Sequence, residues 1–132
     1  MNMDILQQIE LPPIHKTLAG HDLKWDAQTQ TFTVKYVGIE AFTNPRGHIE
    51  GGMLCAMLDD AMGLFAVLSN DGNPATTINL TMDFLRPCTV GEISVTCQYL
   101  RQGNKILNID AVALQNNKIV ARSTANFLVL NK

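Results

Sequence analysis

From Met53 to Leu68 the chain is apolar but for Gly63 and one acidic pair, Asp59-Asp60. The run predicts a helix from about residue 51 to 69, ended by the turn formers "SNDGNP" at 69–74. Apolar side chains point every way around it, so it is expected to be buried on all sides. Beyond the break the period changes to two. Ile78, Leu80, Met82 and Phe84 alternate with Thr77, Asn79, Thr81 and Asp83. Three further segments follow the same rule, through Ile93–Tyr99, Leu107–Ala113 and Ala121–Val129. Strict alternation marks strands with one buried face. Turns fall at "PCTVGE", "RQGNK" and "QNNK", where Asn116 and Asn117 tolerate positive φ.

Upstream, residues 4–10 suggest a short helix ending at Pro12-Pro13. "HDLKWDAQTQTFTVKYV" reads as two short strands around a polar turn at 27–30, with Trp25, Phe32, Val34 and Tyr36 apolar. Ala111, Ala113, Ala121, Ser123 and Ala125 are small enough to let a helix lie close to a sheet. The plan is early strands, one long helix, then a four-stranded antiparallel meander. Its economical packing is a sheet curled around the helix, an α+β fold.

Length and composition narrow the class. At 132 residues the chain is expected to be a single domain, with 1–17 as an N-terminal extension. Hydrophobic residues make up 46% and charged residues 17%, a greasy balance that points to a buried interface between subunits. The net charge is −2 with no basic run, which gives nucleic-acid binding no electrostatic support. No uninterrupted apolar stretch reaches membrane-spanning length, and the N-terminus lacks the layout of a signal peptide. Cys55, Cys88 and Cys97 show no CxxC spacing and read as reduced thiols of a cytoplasmic protein. His15, His21 and His48 have no ligand-like spacing, so no metal is expected.

The acidic pair is the candidate chemistry. Consecutive helical residues point about 100° apart, so Asp59 and Asp60 cannot share one wall. Both lie two turns inside the helix, where neither is a cap. An ionised carboxylate in apolar surroundings needs compensation or becomes neutral. One could accept hydrogen bonds from a neighbouring strand while the other reaches solvent; catalysis is the competing explanation. At the helix start, Gly51 and Gly52 leave the first N–H groups clear of any Cβ, with the positive end of the helix dipole behind them. Such an end can hold a carbonyl oxygen as it becomes an oxyanion. Glu50 sits at the approximate N-cap.

The pattern N-x-x-G-x-x-E-G-G over 44–52, Asp59 in the apolar helix, "TTINLTMDFLRP", "GEISVTCQYLRQGNK" and "KIVARSTANFLVL" together resemble the hot-dog-fold acyl-CoA thioesterases. The nearest branch is that of the phenylacetate-degradation thioesterase. The resemblance runs from about residue 18 to the C-terminus. It implies that Asp59 is nucleophile or general base, that the Gly51 N–H lies in the oxyanion hole, and that Asn44 orients thioester or water. Thr77 falls where relatives carry Ser or Thr near the attacking water, although strict alternation puts it on the face opposite Ile78, so that reaching the site would need a bulge. Asp60 is secondary. Relatives read His-Gly-Gly where this chain has Glu50, and His48 is a nearby substitute. The resemblance further implies a site shared between two subunits of a dimer or dimer of dimers, with coenzyme A as part of the substrate and no separate cofactor. Arg86, Arg101 and Lys105 are candidates for its phosphates, and Met53, Met57 and Phe65 for adaptable acyl walls. A non-catalytic binder of acyl-CoA or another hydrophobic ligand, a hydratase, and a structural dimer module on the same fold are the alternatives.

Overall fold

The computed structural model describes residues 1–130. A 3₁₀ turn (Met3–Gln7) and a short helix α1 (Pro13–Thr17) precede strands β1 (His21–Asp26) and β2 (Thr31–Gly38). The long helix α2 (Gly51–Leu68) follows, then β3 (Ala75–Phe84), β4 (Gly91–Gln102), β5 (Ile106–Gln115) and β6 (Lys118–Val129). The six strands form one antiparallel sheet in the order β1-β2-β4-β5-β6-β3, and α2 packs against β2 to β6. This is the curled sheet around a central helix that the sequence predicts.

The periodicities explain the packing. Leu54, Met57, Leu58, Ala61, Met62 and Phe65 recur at helical spacing and are buried against the sheet. Ile93, Val95 and Cys97 of β4 and Leu107, Ile109, Ala111 and Ala113 of β5 meet them from the concave side. The small side chains Ala121, Ser123 and Ala125 give the helix room over β6. At the β5–β6 hairpin, Asn116 and Asn117 take φ of 53° and 62°, the paired left-handed conformation of a tight two-residue turn.

Several expectations are corrected. Residues 3–7 are a 3₁₀ turn, and a second helix begins at the proline pair where the first was expected to end. Pro13 stands at the first helical position, where its missing N–H costs nothing. The four-stranded meander is a three-stranded one, β4-β5-β6. Strand β3 pairs with β6 at the far edge, and the linker 85–90 crosses the ends of β6 and β5 to reach β4. Val120 O accepts from Leu85 N and Arg86 N, and the Gln115 side chain pairs with Thr89.

Strand β3 does not alternate strictly either. Thr77 pairs with Phe127 and Asn79 with Asn126, so Ile78 is an extra, unpaired residue. This bulge switches the inward face from odd to even positions. Ile78 and Phe84, read as buried, are 53% and 54% exposed. Finally, α2 is not covered all round. By length and composition it could cross a bilayer, yet only half of it is buried within the fold. Gly52, Cys55, Ala56, Asp59, Gly63 and Val67 form a half-open stripe of mostly small residues at helical spacing.

Candidate active site

Asp59 lies in the middle of that open stripe. The Thr77 hydroxyl donates to its Oδ1 at 2.7 Å. This contact exists because of the bulge at Ile78, which turns Thr77 toward the helix. No other hydrogen bond to the Asp59 carboxylate forms among the described residues. Asp59 and Thr77 border an open cleft of about 420 Å³. Its walls are Leu64 and Val67 of α2, Pro74, Ala75 and Phe127 of the sheet edge, and Ile9, Glu10 and Pro12 of the N-terminal segment. A half-buried carboxylate with a free oxygen beside an apolar cleft can attack an electrophile or take a proton from water.

Asp60 lines the same cleft from a more enclosed position, so the two acids do share a wall, contrary to the expectation from helix geometry. Its side chain is 3% exposed. Both His15 Nδ1, at 2.7 Å, and the Tyr36 hydroxyl, at 2.8 Å, contact its Oδ2. Burial, then the Asp60 charge, push the Tyr36 phenol far above its usual value, so it stays protonated and donates. The imidazole of His15 lies over Gly20, where a Cβ would stand 2.1 Å from the ring. The strand donor required to compensate one of the two acids is therefore Tyr36 on β2. His15 was considered only as a metal ligand, and its partnership with Asp60 is not legible in any local pattern. Among the described residues no group of three His, Cys, Asp or Glu side chains is placed to hold a metal.

The start of α2 forms a second site. The Gly51 N–H donates to Glu50 Oε1 at 3.3 Å, so Glu50 caps the helix with its own carboxylate. The Gly52 N–H has no partner among the described residues, and nothing stands within 4 Å of where a Cβ would be. The unclaimed N–H at the helix start is thus that of Gly52, while the Gly51 N–H, expected to line the oxyanion hole, is occupied by Glu50. The Phe84 ring covers Gly51 and would stand 3.0 Å from a Cβ there, so a larger residue would have to push the ring aside by a few tenths of an ångström. Asn44 Oδ1 accepts from the backbone N–H of Arg46 (2.9 Å) and His48 (3.2 Å), which orients its amide Nδ2 away from that turn. Asn44, His48, Gly51, Phe84 and Arg86 line a cleft of about 390 Å³, together with Arg46, a cation that sequence reasoning passed over.

The two clefts share no residue. Gly51 and Asp59 are eight positions apart, about 12 Å along the helix. On one chain they cannot act on the same carbonyl group. The expected phosphate ligands also divide. Arg86 lies at the Gly51 cleft and donates to Ile119 O at 2.7 Å. Arg101 and Lys105 sit at the β4–β5 turn, beside Val129 and hence at the opposite end of the sheet. Of the expected acyl walls, Met57 and Phe65 are fully buried in the core, and Met53 is half-buried. Cys55, one turn before Asp59, is a half-buried free thiol, pushed up by burial and then by the Asp59 charge.

Comparison with known proteins gives one family. The profile of the thioesterase superfamily matches residues 46–120. The chain is 35% identical to a phenylacetic acid degradation-related protein of Ralstonia eutropha JMP134, whose crystal structure superposes with a TM-score of 0.84 over 96% of this chain and 97% of that one. The PaaI protein of E. coli, from the phenylacetic acid degradation operon, superposes with a TM-score of 0.79 over 98% and 91% at 24% identity, a likeness of fold. Acyl-coenzyme A thioesterase 13 of Homo sapiens is 28% identical over 87 residues, 63% of this chain. That match spans 61% of the human protein's length.

Proposed function

The chain belongs to the thioesterase superfamily, and on that premise we propose that it hydrolyses acyl-CoA thioesters at a site completed by a second copy of itself. The observation that carries this is the state of Asp59: a carboxylate held by a single hydroxyl, beside an apolar cleft, with the helix-start donors out of reach on its own chain. A second copy in the opposite orientation supplies those donors. The thioester oxygen is then held by the Gly52 N–H, by the Gly51 N–H once Glu50 swings away, and by the Asn44 amide. Asp59 of the other copy attacks the carbonyl carbon or takes a proton from the attacking water. The C–S bond breaks and the thiolate leaves and is protonated; where water attacks, the acid is released directly, and where Asp59 attacks, water then cleaves the mixed anhydride to release the acid and restore the carboxylate. Little acid assistance is needed, because a thiolate leaves readily.

Thr77 fixes the Asp59 rotamer. Arg46 and Arg86, at the mouth of the Gly51 cleft, suit the phosphates of the nucleotide, and Arg101 and Lys105 of a neighbouring copy are the further candidates. No cofactor besides the coenzyme A of the substrate enters these steps. Three free thiols support a reducing, cytoplasmic setting.

One observation favours a second reading, a binder of acyl-CoA without turnover: the Glu50 carboxylate occupies the Gly51 N–H, where a carbonyl would bind. Thiol release from short, medium, long and aromatic acyl-CoAs separates the two. Hydrolysis by the wild type and its loss in Asp59→Asn support the thioesterase. Tight binding of acyl-CoA with no thiol released supports the binder.

A further inference from the structure

The N-terminal segment is fastened to the fold at Ile5, His15 and Leu18. Ile5 is 6% exposed and Leu18 fully buried in the core. His15, 1% exposed, is held by Asp60. Leu18 O accepts from Val37 N on β2, and His15 O from Gly20 N. Between the Ile5 and His15 anchors the chain runs along the open stripe of α2. There Ile9 and Pro12 face the same cleft as Asp59 and Thr77. One turn beyond Asp59 the helix carries Gly63, which leaves a slot: a Cβ at Gly63 would stand 3.8 Å from Phe127, in ordinary contact.

We propose that this segment is the far wall of the thioester site, and that Ile9, which lines the same cleft as Gly63, sets the length of the acyl group accepted. The inference rests on the function proposed above and names its substrate class. An acyl group whose carbonyl lies at Asp59 extends along the helix into the slot, between Ile9 and Pro12 on one side and Phe127 and Pro74 on the other. Apart from the acids at the reacting end, Glu10 is the one charged residue of this lining. The slot therefore takes a neutral, apolar acyl group and disfavours one that ends in a carboxylate. Its length limit is the point at which the chain meets Ile9. A methylene gained or lost at such a wall changes discrimination by about tenfold or more.

The test measures kcat/KM of the full chain for straight-chain acyl-CoAs from acetyl to palmitoyl, in the wild type, Ile9→Ala, Ile9→Trp and Gly63→Ala. Ile9→Ala is expected to move the optimum to longer chains, with about a tenfold gain on the first chain length that the wild type rejects. Ile9→Trp and Gly63→Ala fill the slot from opposite sides, and both are expected to move the optimum to shorter chains. An unchanged length profile in both Ile9 variants, folded by their thermal melts and dependent on Asp59, overturns the wall and leaves the thioesterase standing. A wild type that hydrolyses aromatic acyl-CoAs and none of the straight-chain ones overturns the wall alone, and one that hydrolyses neither overturns the thioesterase and the wall with it.

Discussion

Asp59 and Asp60 are adjacent in sequence, on one helix, with the same side chain, and they line one cleft, yet they are held very differently. Asp60 faces the core and the N-terminal segment. Its side chain is nearly buried, at the inner edge of the cleft, and its Oδ2 is held by an imidazole and a phenol. Asp59 faces the uncovered stripe, has one hydroxyl for company, and borders a cleft. The difference lies in how firmly each carboxylate is held: Asp60 is pinned by two donors on one oxygen and its side chain is 3% exposed, while Asp59 has a single hydroxyl and lies on the half-open stripe. The more loosely held acid is the better candidate for chemistry, and the more firmly held one for a structural pin. The 100° turn between successive helical residues separates the two roles.

The largest expected effect tests the open half of that contrast. Asp59→Asn keeps the shape and the oxygen that Thr77 donates to, but loses the proton-accepting and nucleophilic character. We expect thioester hydrolysis to fall by about 10⁴-fold, the upper end for a positioned acid or base, with an unchanged melting temperature. Retention of the wild-type rate would remove Asp59 from the mechanism. The firmly held half responds in the other currency. Asp60→Ala leaves His15 and Tyr36 buried without their acceptor, and breaking a buried pair from one side costs about 3–5 kcal/mol. Denaturant unfolding should show that loss. A stability change below about 0.5 kcal/mol would mean that Asp60 is not the pin described.

How much of this could be read beforehand follows the range of the interactions. The helix, its ends, the hairpin at Asn116-Asn117 and the inward faces of β4, β5 and β6 rest on local period and turn chemistry, and they were legible. The position of β3 was not. Its neighbour in sequence is β4, but the linker 85–90 is tied to Val120 and Gln115 and carries the chain past β6 and β5. The bulge at Ile78 was legible only as a requirement: Thr77 could reach the helix if the alternation broke, and it does break there. At the site, the residue types were visible but their division into two clefts was not, because that depends on the path of the helix through the sheet. The His15–Asp60 contact spans 45 positions and leaves no periodic trace. Glu50 was visible as a departure from the family pattern; its occupation of the Gly51 N–H needed coordinates.

A smaller effect tests the pin through a residue that forms no part of it. Gly20 has an ordinary backbone conformation, so alanine is tolerated by the chain itself. Its Cβ, however, would stand 2.1–2.5 Å from three atoms of the His15 ring. Gly20→Ala is therefore expected to push His15 off Asp60 while leaving the Tyr36 bond in place. The cost of one half-satisfied buried acid is about 1–3 kcal/mol. Added to His15→Ala, the substitution should cost little more than His15→Ala alone, since both remove the same contact. Full additivity in a double-mutant cycle would show that Gly20 acts elsewhere.

The smallest effect at neutral pH belongs to Tyr36→Phe, which removes one of two donors to Asp60 and is expected to cost about 1 kcal/mol. Its value lies in the alkaline limb. In the fold, burial and Asp60 raise the Tyr36 phenol above its ordinary value of 10.0. The unfolded chain therefore loses this proton as pH passes about 10, while the folded chain keeps it. With fewer protons bound in the unfolded state, stability falls as pH rises, by up to about 1.4 kcal/mol per unit for this group. Phenylalanine cannot ionise, so the variant lacks that share and retains the parts due to Tyr99 and the buried thiols, which are raised as well. The two stability curves, measured by denaturant unfolding, should start apart with the wild type above, converge beyond pH 10 and cross within about one further unit. Parallel curves would mean that Tyr36 titrates in the fold as it does in the unfolded chain, and that the enclosure which distinguishes Asp60 from Asp59 is open to solvent.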